Sequence, residues 1–363
     1  MSFKDKYCAG LLTVFLYVII AVNGLAQDSI VLNNEKTIIT KVLPLVFYTP
    51  ETRWGFGGAS VFTGKLDSLS KASQMQLGFA YTQNKQWLFY LPFQLWLQQN
   101  KYYVSGEFGY YLYSYFYYGI GNKYDASVEE LYKVNYPRIR VNVQQRINKS
   151  AYLGITTSYD NWDIIETKTN GLLADESTPG NQGGAVLYAG PMFTIDKRNQ
   201  LFFPTAGYRL QTSIVYNLPQ FSNFEFTRFS IDWTSYNAIK KHVFVLNMGA
   251  EIGVGNIPFN ELGMLGGTKR LRGMYLGRFR DKTVSYAQAE FRTNTWKRFG
   301  GVAFAGLGLV GSKSNDFTTK NLRTTYGAGI RYILDTKNHI NIRFDAGFGE
   351  GSSGFYVTVG EAF

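Results

Sequence analysis

Apolar and polar residues alternate with a period of two along most of the chain, in stretches of about ten residues, while helical periodicity is almost absent. Phe244, Leu246, Met248, Ala250, Ile252 and Val254 fall on one face of such a stretch, and Val245, Asn247, Gly249, Glu251 and Gly253 fall on the other. The same split recurs at Ile342, Phe344, Ala346 and Phe348 against Arg343, Asp345 and Gly347, and at Ile139, Val141 and Val143 against Arg138, Arg140, Asn142 and Gln144. One face suits lipid and the other water, and the length is that of a tilted strand crossing a bilayer. A soluble sandwich with its polar face outward would show the same alternation.

Sixteen strands are predicted, near 41–48, 53–64, 72–83, 86–98, 101–113, 133–147, 150–162, 183–195, 205–217, 222–236, 240–254, 282–294, 299–311, 321–334, 337–349 and 353–363. The long links at 114–132, 163–182, 255–281 and 312–320 all fall at odd-numbered connections, and every even-numbered one is shorter than ten residues. With both chain ends on the periplasmic side, that parity is the one expected of a bacterial barrel with short inner turns and long outer loops. The last strand is expected to carry Phe355, Val357, Val359 and the terminal Phe363 on its apolar face, where Phe363 resembles the C-terminal recognition signal of bacterial outer-membrane barrels, with Glu361 a charge near the rim.

The first residues fit no strand. Lys4 and Lys6 precede an apolar run from Leu11 to Val22, which reads as a secretory signal over 1–26. No later run is long enough for a transmembrane helix. The expected organisation is therefore a signal peptide (1–26), a short periplasmic segment (27–40) and a barrel (41–363). Composition agrees, with 27 Tyr, 28 Phe and 38 Gly but only 17% charged residues, as in strands flanked by aromatic girdles. The sole cysteine, Cys8, lies inside the signal, which excludes disulfides and thiolate chemistry from the mature chain. The formal charge of +11 falls to +10 once Lys4, Asp5 and Lys6 are removed.

Few motifs point to other chemistry. Gly58 and Gly64-Lys65 mimic a phosphate loop with the wrong spacing and Leu66 in place of Ser or Thr. His242 and His339 lack ligand-spaced partners, and no Gly-x-Ser-x-Gly elbow exists. We expect no enzyme, no cofactor, no metal and no nucleic-acid partner.

The stretch "LGGTKRLRGMYLGRF" (265–279), followed by "YAQAEFR" (286–292), lies in and just after the sixth of the outer connections. It resembles the hallmark region of the BamA/TamA-type outer-membrane barrel superfamily, also called the bacterial surface antigen family. "LPLVFYTPETRWGFGG" (43–58), "YYGIGN" (117–122), "GPMFTIDKRNQLFFPTAGYRL" (190–210) and "GFYVTVGEAF" (354–363) resemble further family elements, so the likeness covers the mature chain.

The resemblance implies an all-β transmembrane antiparallel barrel of about 16 strands in the outer membrane, a POTRA-less member with a luminal sixth loop. It implies that Leu271, Arg272, Gly273, Met274 and Tyr275 form the loop motif, with Arg272 docking on Glu290. Met274 stands where the family has an aromatic, for which Tyr275 is the candidate replacement. Gly306 stands where the following strand carries a second acid, so Glu251 or Asp345 is the candidate substitute. A solvated basic outer loop is the plain alternative.

The first and last strands must meet at a seam, where Pro44 removes a ladder donor and Gly360 weakens the strand. In the family this seam is a proposed lateral gate; Pro44 alternatively marks the start of an ordinary strand. The expected function is protein insertion or translocation. Expected partners are outer-membrane lipids, the barrel-assembly machinery during biogenesis, and an unidentified client or separately encoded periplasmic protein; oligomerisation is left open. The alternatives are a diffusion pore whose luminal Arg138, Arg140, Arg331 and Arg343 favour anions, and an enzyme at the lipid surface.

Overall fold

A computed structural model describes residues 29–32, 36–49, 51–122 and 128–363. The expected signal over 1–26 lies outside the described residues. Sixteen long strands follow in order: β1 (Lys36–Thr49), β2 (Arg53–Gly64), β3 (Ser73–Thr82), β4 (Trp87–Leu97), β5 (Tyr102–Tyr117), β6 (Glu130–Arg146), β7 (Ala151–Glu166), β8 (Gly184–Asp196), β9 (Gly207–Asn217), β10 (Glu225–Ile239), β11 (His242–Asn256), β12 (Thr283–Arg292), β13 (Phe299–Gly311), β14 (Arg323–Asp335), β15 (Ile340–Gly349) and β16 (Ser352–Val359). Each pairs antiparallel with the next.

Burial separates the two architectures that alternation left open. Along β12, Val284, Tyr286, Gln288, Glu290 and Arg292 are buried while Phe291 is exposed. Outward apolar residues such as Phe56, Ile155, Val254 and Tyr326 are 55% to 65% exposed, with charged side chains enclosed. A sandwich in water would reverse this; a barrel in lipid requires it.

Three expectations are corrected. β1 begins at Lys36 and not at 41, because β2 runs to Gly64 and its end needs partners: Ile38 faces Gly64 and Ile39 faces Thr63. The turn between β8 and β9 spans 197–206, ten residues and not fewer. Finally, β16 stops at Val359, because Gly360 adopts φ +88° and turns the chain off the strand.

The seam differs from every other strand boundary. Residues Ser29–Leu32 form a short strand that pairs with Lys36–Ile39. Ile38 and Ile39 already pair with β2 on their other side, so this strand occupies the β1 edge that faces away from β2. Among the described residues no register joins β16 to β1 or to the short strand. Side chains bring the ends together instead. Leu43 and Val61, on the luminal parity of β1 and β2, share one buried cluster with Tyr332, Leu334, Ile342, Phe344 and Val359, on the outward parity of β14 to β16. The inner face of the first strands therefore laps over the outer face of the last.

Loops pack at both ends of the barrel. At the outer end Tyr117, Tyr132, Trp162, Leu173, Phe224 and Phe259, from three strands and three loops, join one buried cluster. At the periplasmic end the 197–206 turn reaches across. Leu201 packs on Trp96, Tyr103 and Tyr152, while the Phe203 ring stacks on His339 at 4.7 Å.

Candidate functional site

The connection between β11 and β12 carries Leu262, Leu265, Leu271, Met274 and Phe279, all at most 5% exposed. A loop this apolar has no stable place in water, and burying each such side chain gains about 1.5–3 kcal/mol. It drops into the lumen, where Leu265, Leu271, Met274 and Phe279 pack with Val284 and Tyr286 of β12 and Val310 of β13. A short ladder of Gly263–Met264 with Arg280–Asp281 closes its neck. Met274 is thus a core residue. Tyr275 points elsewhere: its hydroxyl accepts from the Phe116 N–H at 3.1 Å, tying the loop to β5.

Arg272 is 1% exposed and lies 3.7 Å over the Phe304 ring of β13. Its guanidinium donates to Glu290 of β12 and, at 2.6 Å, to Asp345 of β15. Glu290 also accepts from Arg292 at 2.7 Å, and Asp345 from Arg331 at 2.6 Å. Arg331 donates at 2.9 Å to Glu361. Four guanidiniums, counting Arg343 at 3.6 Å from Asp345, are thereby interleaved with three carboxylates. Charges this enclosed persist only when paired, and removing one member strands the rest.

The second acid therefore comes from β15, and the loop itself explains why β13 has none. A Cβ at Gly306 would meet Gln288 at 3.0 Å and Leu271 at 3.6 Å, and one at Gly308 would meet Leu265 at 2.8 Å. These glycines make the hollow that receives the loop's leucines. Of the two substitute acids, Asp345 binds Arg272, whereas Glu251 holds Arg270 at 2.6 Å.

Gly273, at φ +106°, lies backbone to backbone on β15: a Cβ there would meet the Phe348 nitrogen at 2.3 Å. Its N–H donates to the Tyr356 hydroxyl at 3.0 Å and its carbonyl accepts from Ser352 at 2.6 Å. Arg278 donates to the Gly351 carbonyl at 2.9 Å. The loop is fastened to the wall that ends at the seam.

With this geometry in hand, comparison with known proteins is decisive: residues 57–363 match the Omp85 superfamily domain. The chain belongs to the Omp85 superfamily. No match among curated proteins accompanies it. Solved structures share the fold. A BamA from Haemophilus ducreyi lacking POTRA domains 1–3 is 12% identical with a TM-score of 0.55, over 92% of this chain and 74% of that one. CdiB from Escherichia coli is 13% identical with a TM-score of 0.55, over 91% of this chain. CdiB from Acinetobacter baumannii is 11% identical with a TM-score of 0.52, over 89% of it. The chain spans 62% and 60% of those two CdiB chains, respectively. It is an outer-membrane β-barrel.

Other expected residues of this Omp85 barrel sit differently. Phe363 does not extend the apolar face of β16. Past Gly360 the tail enters the lumen, where Phe363 packs on Tyr236, Val243 and Val245 and its carbonyl accepts from Arg292 at 3.3 Å. Glu361 is likewise no rim charge but part of the Arg331 network. Pro44 lies within β1 opposite Gly58. The luminal arginines are not free cations: Arg138 and Arg140 share Asp160 at 2.8 and 3.2 Å, and Arg331 and Arg343 belong to the Arg272 network. Phe304, Arg292 and Tyr356 were not singled out from sequence. Strand parity puts all three in the lumen, but it does not give their depth. Among the described residues no group of three His, Cys, Asp or Glu side chains could hold a metal.

Proposed function

We propose that this Omp85 barrel inserts or translocates other proteins, with the luminal loop as a fixed brace and the β1/β16 seam as the part that yields. One observation carries the reading: among the described residues, registers link every neighbouring pair of the sixteen strands except β16 and β1, which meet through packed side chains. Edges left without ladder partners are sites where another strand can add. The brace supports this role, because Arg272, Gly273 and Arg278 hold β15 and β16 in place when the neighbouring edge opens. Clients reach the barrel either directly or through a separately encoded periplasmic partner.

The passive-pore reading is weakened by the paired arginines and by the loop packed in the lumen; planar-bilayer recording should find little steady conductance. The main test uses cysteine pairs between positions 42–46 of β1 and 353–357 of β16, in a chain whose native cysteine is Cys8 alone. In cells dependent on the barrel, oxidation should leave client proteins unassembled and reduction should restore them. An unchanged outer-membrane proteome with the seam fully cross-linked would sink the reading.

A further inference from the structure

The seven periplasmic turns, 65–72, 98–101, 147–150, 197–206, 240–241, 293–298 and 336–339, hold eleven Lys or Arg against one acid, Asp67. The outer connections other than the luminal loop hold five Lys against seven acids. The positive balance of the chain is thus one-sided. It is also spread around the circumference, because each of the seven turns exposes at least one lysine. Two of the cations serve the fold: Lys71 and Arg198 lie 3.6 and 2.9 Å from the buried Asp196. The exposed turn lysines form no salt bridge among the described residues, where Lys71 and Lys133 are the lysines that do.

Where these ammoniums stand decides what can meet them. Tyr102 at the start of β5 shares the outward parity of the exposed Phe108, and Tyr208 of β9 shares that of the exposed Ile214. Lys101 lies 5.3 Å over the Tyr102 ring and Lys197 lies 5.4 Å over the Tyr208 ring. Lys297 lies 5.0 Å over Trp296, a ring 72% exposed, whose backbone bridges to the outward Phe299. On β10 the outward Ile239 is exposed directly before Lys240 and Lys241. Cations over outward aromatic rings at the strand ends stand where hydrocarbon gives way to headgroups, with the ring on the apolar side and the charge on the wet one. They ring the outside of the wall, so a surrounding lipid leaflet meets them all, whereas a protein seated over the mouth does not.

We infer that the periplasmic rim is a collar that binds anionic phospholipids of the periplasmic leaflet. Their phosphates meet the lysine ammoniums, and their acyl chains run along the wall beside Tyr102, Tyr208 and Trp296. Net negative charge is what the collar selects, because zwitterionic headgroups bring an ammonium of their own to the same place. The inference rests on the orientation of the barrel in the outer membrane and stands whether or not the seam yields.

The test places the full chain in phosphatidylcholine vesicles with a trace of spin-labelled phosphatidylglycerol or spin-labelled phosphatidylcholine, and electron spin resonance reads the fraction of each held at the protein surface. The anionic lipid should associate about two- to fivefold more strongly. At 1 M salt, where the Debye length is about 3 Å, the preference should vanish. Lys101→Glu, Lys197→Glu and Lys297→Glu together should cut it by half or more, and the glutamine set at the same positions is a milder variant with the same expectation. The arginine set should keep it, as should the outer-end control of Lys85→Glu, Lys313→Glu and Lys320→Glu; heat-modifiable migration on gels certifies a folded barrel in each. Equal association of the two lipids with the wild type, or a preference that the folded glutamate or glutamine set keeps by more than half, overturns the inference. Equal association together with saturable binding of poly-L-glutamate would overturn it in favour of an acidic periplasmic protein.

Discussion

Two regions of one barrel wall are built by opposite rules. Around Arg272, five strands and a loop meet through interleaved charges, cation–π contact and backbone hydrogen bonds. At the seam, a few apolar side chains lap over one another and no register is formed among the described residues. Directional bonds hold a single geometry, whereas apolar contacts tolerate sliding. A barrel that must stay intact while one boundary opens needs both, side by side.

Each region can be broken separately, and unfolding in lipid vesicles followed by tryptophan fluorescence should rank the damage. Asp345→Asn should be the worst, at about 3–5 kcal/mol, since it takes one carboxylate from Arg272, Arg331 and Arg343 together. Gly273→Ala follows at about 2–4 kcal/mol, combining a positive φ with a clash into β15 backbone. Arg272→Ala and Glu290→Gln should be non-additive by about 1–3 kcal/mol in a double-mutant cycle; additive effects would contradict their contact. Gly360→Ala should be mildest, about 1 kcal/mol, because no atom lies within 4 Å of the added Cβ and φ alone is strained. A Gly360 effect as large as that at Gly273 would erase the distinction between seam and brace.

Much of the barrel was legible because a period of two, repeated at bilayer length, leaves little freedom: 53–64 and 299–311 match β2 and β13 residue for residue. Arg272 and Glu290 were legible through family resemblance combined with parity. Parity says which face a residue takes but not how far along the barrel it stands. Asp345, 73 residues from Arg272, could be offered only beside Glu251 as one of two candidates. Gly306 read as a lost acid, when its function is room for Leu271. The inward turn of the tail was hidden for a related reason. Glu361 apart, alternation runs on to Phe363 in the sequence, and it is the φ of Gly360 that ends the strand.

The account rests most directly on the seam lacking a ladder while the rest of the wall has one. Amide hydrogen exchange of the wild-type barrel in nanodiscs reads this residue by residue. Within β1 from Thr40 to Thr49, amides that point toward β2 should be as protected as those of β12 and β13, and those that point toward β16 should exchange far faster. Uniform protection along β1, equal to that of β12, would mean that the seam is an ordinary ladder and would contradict the account.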